Sequence, residues 1–97
     1  MPTFRVKRNE IFGLFVDVPV DKAYSMYVLR LEDPAGRSTT LSTVSYAEAQ
    51  KTVVAKINPW EQAGAYQIVV LGLAGQDADP AKAATLATMK FNVEFAR

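Results

Sequence analysis

The carboxylates are the residues whose spacing comes nearest to a catalytic or metal-binding pattern. Asp77 and Asp79 stand two apart in a polar loop, and Asp17 and Asp21 flank the end of an apolar run. A calcium loop of the EF-hand type begins with two Asp residues that are two apart, as Asp77 and Asp79 are. The further oxygen ligand, the glycine and the distal Glu of that loop do not follow here. We therefore interpret these carboxylates as solvated loop and strand-end residues, and we expect no metal site.

The absence of two residue types excludes most other chemistry. The chain has 97 residues and contains no Cys and no His. It therefore has no thiolate nucleophile, no disulfide, no imidazole general base and no Ser-His-Asp triad. Zinc, which prefers imidazole and thiolate ligands, also lacks a site. We expect no enzyme activity and no cofactor.

The charge balance argues against nucleic acid as a partner. Eleven Lys and Arg oppose ten Asp and Glu, which leaves a formal net charge of +1. Arg5, Lys7 and Arg8 form a local basic group, but binding to phosphate without sequence preference needs more basic residues than these. We interpret the group as a solvated strand end.

The hydropathy of the chain bears on its location. No uninterrupted apolar segment reaches the roughly 18 residues of a membrane span, so we expect no direct insertion into a membrane. The first residues contain no apolar region of a signal peptide. The expectation is either a cytoplasmic protein, if Met1 is the native start, or an extracytoplasmic domain taken from a longer membrane protein.

The elements that must position these residues are strands. Apolar and polar residues alternate with a period of two in residues 12–20, 27–32, 52–57 and 88–95. Residues 65–73 are apolar on both faces, which is typical of a central strand. Short strands separated by turn signals predict an all-β, antiparallel immunoglobulin-like β-sandwich of about seven strands. Residues 1–97 form one domain in this interpretation, and a small barrel is the alternative fold. The expected core consists of Leu14, Val16, Leu29, Leu31, Val53, Ile57, Tyr66, Ile68, Phe91 and Val93.

Turn residues and short segments of helix-forming residues lie between the predicted strands. Asp33-Pro34-Ala35-Gly36 is typical of a type I turn and predicts a hairpin into a polar strand at residues 37–44. Residues 46–51 and 80–84 are the segments that can hold a helical turn. The polar strand is our candidate interaction edge, although plain solvation explains the same composition; the edge residues are Thr39, Thr40, Leu41, Ser42 and Thr43.

The aromatic residues near the middle of the chain predict a structural corner. Tyr66 follows Gly64 at the start of a late strand, which is the arrangement of a tyrosine corner, and Trp60 lies in the same corner. The alternative for Trp60 is an exposed aromatic that binds a partner. Four other residues are the candidates for an exposed aromatic patch: Phe15, Tyr24, Tyr27 and Tyr46.

Six segments together resemble a known family. They are residues 11–20 (IFGLFVDVPV), 27–36 (YVLRLEDPAG), 53–57 (VVAKI), 64–66 (GAY), 67–73 (QIVVLGL) and 91–95 (FNVEF). This pattern is similar to the extracytoplasmic sandwich domain of bacterial zinc-finger anti-sigma factors. In that family a cytoplasmic helical region with a His/Cys zinc motif holds the sigma factor, and one membrane helix connects it to the outer domain. Because this sequence matches neither of those parts, no zinc-binding or sigma-binding residue is transferred to it.

The resemblance implies a regulatory outer domain that senses a ligand or presents the protein to a partner or protease. The alternative is a structural immunoglobulin-like or fibronectin-like module of a larger bacterial surface or secreted protein. A small enzyme would require carboxylate chemistry for which the sequence offers no pattern. The parent reading frame separates the first two, because an upstream membrane helix with a His/Cys cluster favours the first and tandem copies favour the second.

Overall fold

The computed structural model describes residues 1–57, 60–75 and 82–96. Within these residues the chain forms seven strands and one short helix. In chain order they are β1 (Thr3–Val6), β2 (Phe12–Val16), β3 (Met26–Glu32), β4 (Ser38–Ser45), α1 (Tyr46–Ala49), β5 (Val53–Ile57), β6 (Gly64–Leu73) and β7 (Ala84–Phe95).

The strands form two sheets, as the sequence predicted for an all-β sandwich. One sheet has five strands in the order β1-β7-β6-β3-β4, and the other pairs β2 with β5. The third, sixth and seventh strands are neighbours in one sheet, and the second and fifth share the other, as in immunoglobulin-like sandwiches. Every pairing is antiparallel except that of β1 with β7, which is parallel.

The core lies between the two sheets and follows the alternation in the sequence. In β5, Val53, Ala55 and Ile57 are buried while the residues between them are exposed. Nine of the ten predicted core residues are buried, and Leu14 is partly buried against both core clusters. Because successive side chains of a strand point to opposite faces, the pattern of period two determines which face enters the core.

Strand β6 has the central position that its two apolar faces predicted. It pairs with β3 on one side and with β7 on the other. Ile68 and Val70 enter the core, while Val69 and Leu71 on the opposite face are also buried, at 8% and 7% exposure.

The hairpin between β3 and β4 forms at the predicted turn. The N–H of Gly36 donates to the carbonyl of Asp33 at 2.9 Å, and Gly36 has a φ of 85°. The Asp33 Oδ1 accepts from the N–H groups of Ala35 and Arg37, each at 2.9 Å. Strand β4 begins at Ser38, one residue later than the sequence indicated.

The second aromatic patch considered from the sequence does not form, and that alternative is wrong. Tyr27 is fully buried, and Tyr24 and Tyr46 are partly buried against the core, whereas Phe15 is 72% exposed. The burial of Tyr27 is possible because its hydroxyl is paired: it donates to the Asp21 carbonyl at 2.8 Å and accepts from the Asp21 N–H at 2.9 Å. The ring therefore fills the core while its polar end joins the loop before β3.

Of the remaining local predictions, one helical turn lies within the described residues and the others fall partly or wholly outside them. The helical turn expected at 46–51 is α1. The one expected at 80–84 and the loop carrying Asp77 and Asp79 lie partly or wholly outside the described residues, as does Asn58-Pro59. Along the described chain, the helical residues form no segment long and apolar enough to cross a membrane.

Candidate interaction site

Strand β4, which contains the candidate edge residues Thr39 to Thr43, lies at one end of the five-stranded sheet. It pairs with β3 through a register that runs from Ser45 opposite Met26 to Ser38 opposite Glu32. On its other side no strand among the described residues pairs with it. The backbone groups on that side are therefore available to a partner.

The hydrogen bonds at the two ends of the ladder identify those groups. The Asp33 N–H donates to the Arg37 carbonyl at 2.9 Å, and the Tyr46 N–H donates to the Ser25 carbonyl at 3.0 Å. Bonded and non-bonded pairs alternate along an antiparallel ladder. By this alternation, counted inward from both ends, the N–H and C=O groups of four residues of β4 point away from β3: Ser38, Thr40, Thr43 and Ser45. We call Ser38, Thr40 and Thr43 the β4 edge.

A bulge interrupts the ladder at Leu41. The register passes from Thr40 opposite Arg30 to Ser42 opposite Leu29, so Leu41 has no partner of its own on β3. An extra residue of this kind bends the strand and redirects a side chain. Here Leu41 is partly buried and packs against both core clusters, although the sequence had suggested that the whole run faces solvent.

The helix α1 closes the edge at its C-terminal end. The Ser45 N–H, which also points away from β3, donates to the Glu48 Oε1 at 3.0 Å, and the Glu48 N–H donates to the Ser45 Oγ at 3.2 Å. This is a capping box. The Ser45 N–H, together with the Ser45 side chain, holds the pKa of Glu48 below its ordinary value. The unpaired stretch of β4 therefore ends at Thr43.

A groove of about 580 Å³ lies beside the β4 edge, where the two sheets separate between β4 and β5. Its volume falls in the range of about 300–1,000 Å³ that is typical of ligand sites. The apolar side chains that line it are Leu31, Leu41, Ile57, Trp60 and Tyr66. Because β4 and β5 end different sheets and do not pair with each other, the groove remains open on this side of the sandwich.

The corner between β5 and β6 forms one end of the groove. The Tyr66 hydroxyl donates to the Gln62 carbonyl at 2.6 Å, the bond back to the preceding corner that defines a tyrosine corner. Trp60 packs edge-on against Tyr66 with ring centroids 4.7 Å apart. Gly64 has a φ of 134°, and a Cβ atom there would lie 3.0 Å from the Pro34 Cγ, so the corner requires glycine.

Two polar groups at this corner lack partners. Trp60 is 5% exposed, and its Nε1–H meets no acceptor among the described residues. The Nε2 of Gln62 is also buried and meets no acceptor among the described residues. Buried donors are normally paired, because an unpaired one costs about 1–3 kcal/mol. Both residues line the groove.

The charges around the groove balance. Arg37 and Asp33 form an ion pair with Nε and Oδ2 3.0 Å apart. The N–H of Arg37 and then its guanidinium hold the pKa of Asp33 below its ordinary value. The other charged lining residues are Lys56 and Glu61, one of each sign. The charged residues that line the groove therefore carry no net charge.

The first part of β7 is another free edge, and it does not border this groove. Residues 84–90 of β7 pair with β6 alone, because β1 covers β7 only from Asn92 onward. The Asn92 N–H donates to the Pro2 carbonyl at 2.8 Å, away from β6. By the same alternation, the N–H of Thr88 also points away from β6. None of residues 84–90 lines the groove beside β4.

Sequence reasoning named the edge and the corner as separate features and missed the groove that joins them. The sequence signals for both were present in the Thr-rich run and in Trp60. Neither signal indicates that the two lie together, since that depends on how β4 and β5 end different sheets.

Comparisons with known protein families, with curated proteins and with solved structures find no match to this chain.

Proposed function

We propose that this chain is a non-catalytic protein-interaction module that binds an extended segment of a partner protein along the β4 edge. The observation that carries the proposal is the row of outward backbone groups at Ser38, Thr40 and Thr43, for which no strand among the described residues supplies a partner. An extended segment adds to such an edge as a new strand, pairing with Ser38 and Thr40 and, where it bends at the bulge, also with Thr43.

A regulatory setting is part of the proposal. The sequence resembles the outer domain of bacterial zinc-finger anti-sigma factors, and a module outside the membrane would pass on the binding of a segment to the rest of such a protein. The parent reading frame tests this setting: an upstream membrane helix and His/Cys cluster support it, and tandem copies of this domain favour a structural module instead.

A peptide library tests the binding edge. Random octapeptides displayed on phage are selected against the immobilised chain, and the enriched peptides are synthesised and titrated by calorimetry. We expect bound peptide to slow hydrogen exchange at the amides of Ser38, Thr40 and Thr43, because these donors are then paired.

Two proline variants form the matched comparison. Thr40→Pro removes an outward N–H from the β4 edge, and Thr88→Pro removes the equivalent N–H from the free part of β7; neither breaks an existing ladder bond. We expect Thr40→Pro to weaken peptide binding by about tenfold or more, and Thr88→Pro to leave it unchanged. Thermal unfolding of both variants checks that the fold is retained, with Thr43→Pro as a replacement if Thr40→Pro fails to fold.

Two results would refute the proposed edge. One is a selection that enriches no peptide. The other is a set of peptides whose binding leaves the β4 edge amides unprotected and is equal in the two proline variants.

A further inference from the structure

We infer that the partner of the β4 edge is a second copy of this chain, which supplies the free part of its β7, residues 84–90, as the extended segment. This inference rests on the proposed function, because it names the occupant of the same edge. The two strands pair antiparallel, with Thr40 of one copy opposite Thr88 of the other. Each copy pairs its β4 edge with one neighbour and its free part of β7 with another, so the five-stranded sheets of successive copies join.

The free part of β7 carries outward backbone groups like those of the β4 edge. The Asn92 N–H donates to the Pro2 carbonyl, away from β6. Bonded and non-bonded pairs alternate along the ladder with β6, so the groups of Lys90 and Thr88 also point away from it. Within the described residues no strand pairs with this side of residues 84–90.

A bulge at Leu86 sets the position of the next outward group. Ala87 and Thr85 lie opposite consecutive residues of β6, so Leu86 between them has no partner of its own. Because the pair that contains Ala87 is bonded, the alternation turns the N–H and C=O groups of Thr85 outward. The outward residues of the free part of β7 are therefore two and then three positions apart: Lys90, Thr88 and Thr85.

This spacing matches that of the β4 edge. The residues of the β4 edge are also two and then three positions apart, because Leu41 is the extra residue of that strand. In an antiparallel pair the order of one strand is reversed, so the longer steps of the two strands lie opposite each other. The facing pairs are Ser38 with Lys90, Thr40 with Thr88, and Thr43 with Thr85. A regular strand would match only part of this edge.

The faces and directions of the strands also agree. Within one copy, each facing pair lies in a single row across the sheet, and one such row runs through Thr40, Arg30, Val69 and Thr88. Residues of one row share a face of the sheet, so a second copy continues the sheet without exchanging its two faces. Because β7, β6, β3 and β4 alternate in direction, the second copy has the same orientation as the first.

The lengths and side chains of the two edges are compatible. Strand β4 begins at Ser38, opposite Lys90, whereas β1 covers β7 only from Asn92 onward, so β1 leaves this stretch open. Strand β4 contains no charged residue, and Lys90 is the only one in residues 84–90, so no like charges face each other. Two of the three facing pairs join Thr to Thr, which is a favourable combination across strands.

Two variants, each blocked at one edge, test the assembly in sedimentation velocity. An interface between two different edges repeats into rings or filaments, so we expect wild type to grow beyond a dimer as its concentration rises. Thr40→Pro blocks the β4 edge and Thr88→Pro blocks the free part of β7, so each variant alone should sediment as a monomer. An equimolar mixture of the two should form a dimer and stop there, because one intact edge of each kind remains.

Hydrogen exchange in wild type gives a reading that does not require either variant to fold. As the concentration of the chain rises, exchange should slow at the amides of Thr40 and Thr88 together. Protection of Thr40 alone would show that the β4 edge pairs with itself, and it would overturn the inference. Thermal unfolding checks that both proline variants retain the fold.

The outcomes separate this inference from the proposed function. A wild-type chain that stays monomeric up to about 1 mM, or a Thr88→Pro variant that associates as wild type does, overturns the inference. The function stands in either case if the selected octapeptides still protect the β4 edge amides of Thr88→Pro. If neither the peptides nor a high concentration of the chain protects these amides, both are wrong.

Discussion

Replacing Tyr66 by Phe removes one atom from the corner that ends the groove and leaves the ring in place. The ring keeps its edge-on contact with Trp60 at 4.7 Å and its stacked contact with Phe91 at 5.9 Å. What is lost is the 2.6 Å bond from the hydroxyl to the Gln62 carbonyl. The net value of such a bond is about 0.5–1.5 kcal/mol. For a domain of this size, a loss of about 1 kcal/mol lowers the melting temperature by roughly 4–8 °C.

The pH dependence of this loss gives a second measurement. Burial, followed by the nearby Asp33 carboxylate, raises the pKa of Tyr66 above its ordinary 10.0. The folded state therefore holds the phenolic proton more tightly than the unfolded state. This contribution to stability is complete below about pH 10 and is lost as the pH rises through the pKa of the folded state. The stability difference between wild type and Tyr66→Phe should accordingly narrow in alkaline solution.

Urea unfolding followed by tryptophan fluorescence measures both effects, since Trp60 lies beside the altered residue. Tyr46→Phe is the control, because Tyr46 is partly buried and its hydroxyl has no bond among the described residues. We expect that variant to unfold within about 0.5 kcal/mol of wild type. Equal midpoints for wild type and Tyr66→Phe from neutral to alkaline pH would show that the hydroxyl is solvated and the corner bond absent.

Three further predictions concern the core, the central strand and the β4 edge. Ile68 is fully buried, so Ile68→Ala should cost about 2–5 kcal/mol in urea unfolding. A Cβ at Gly72 would lie 2.8 Å from the Tyr24 ring, so Gly72→Ala should destabilise by about 1–3 kcal/mol, whereas Gly13→Ala, with open space around it, should be nearly neutral. In the free protein, native-state hydrogen exchange should be fast at the β4 edge amides and slow at the neighbouring amides that bond to β3; uniform protection along β4 would contradict the assigned alternation.

The fold was predictable because the order of apolar and polar residues within each strand indicates which of its faces is buried. The alternation in β5 and the two apolar faces of β6 follow directly from which side of each strand is covered. The parallel pairing of β1 with β7 was not predictable in this way, because the four residues of β1 carry no information about strand direction. The burial of Tyr27 follows the alternation, which puts it on the same face as Leu29 and Leu31, but the sequence did not show that the loop backbone at Asp21 pairs its hydroxyl.

The candidate site was predictable only in its parts. Trp60 and Tyr66 have a recognisable spacing from Gly64, and the sequence placed them in one corner. The groove depends instead on a relation between two strands that are distant in the chain and belong to different sheets, β4 and β5. The outward direction of the β4 amides depends on the bulge at Leu41, which shifts the alternation by one residue and has no local sequence signature.

The same bulge would make pairing selective if the β4 edge binds a segment as we propose. Natural edge strands avoid indiscriminate pairing through charges, prolines or bulges. Strand β4 contains no charged residue and no proline, so the bulge at Leu41 is the protective feature present within it. The bulge divides the outward groups into a pair, Ser38 and Thr40, and a separate Thr43, with two residues between them instead of one. A regular strand can match only one of these parts in register, whereas a segment that bends at the same position matches both. Because Leu41 also lines the groove, that bend lies beside the groove.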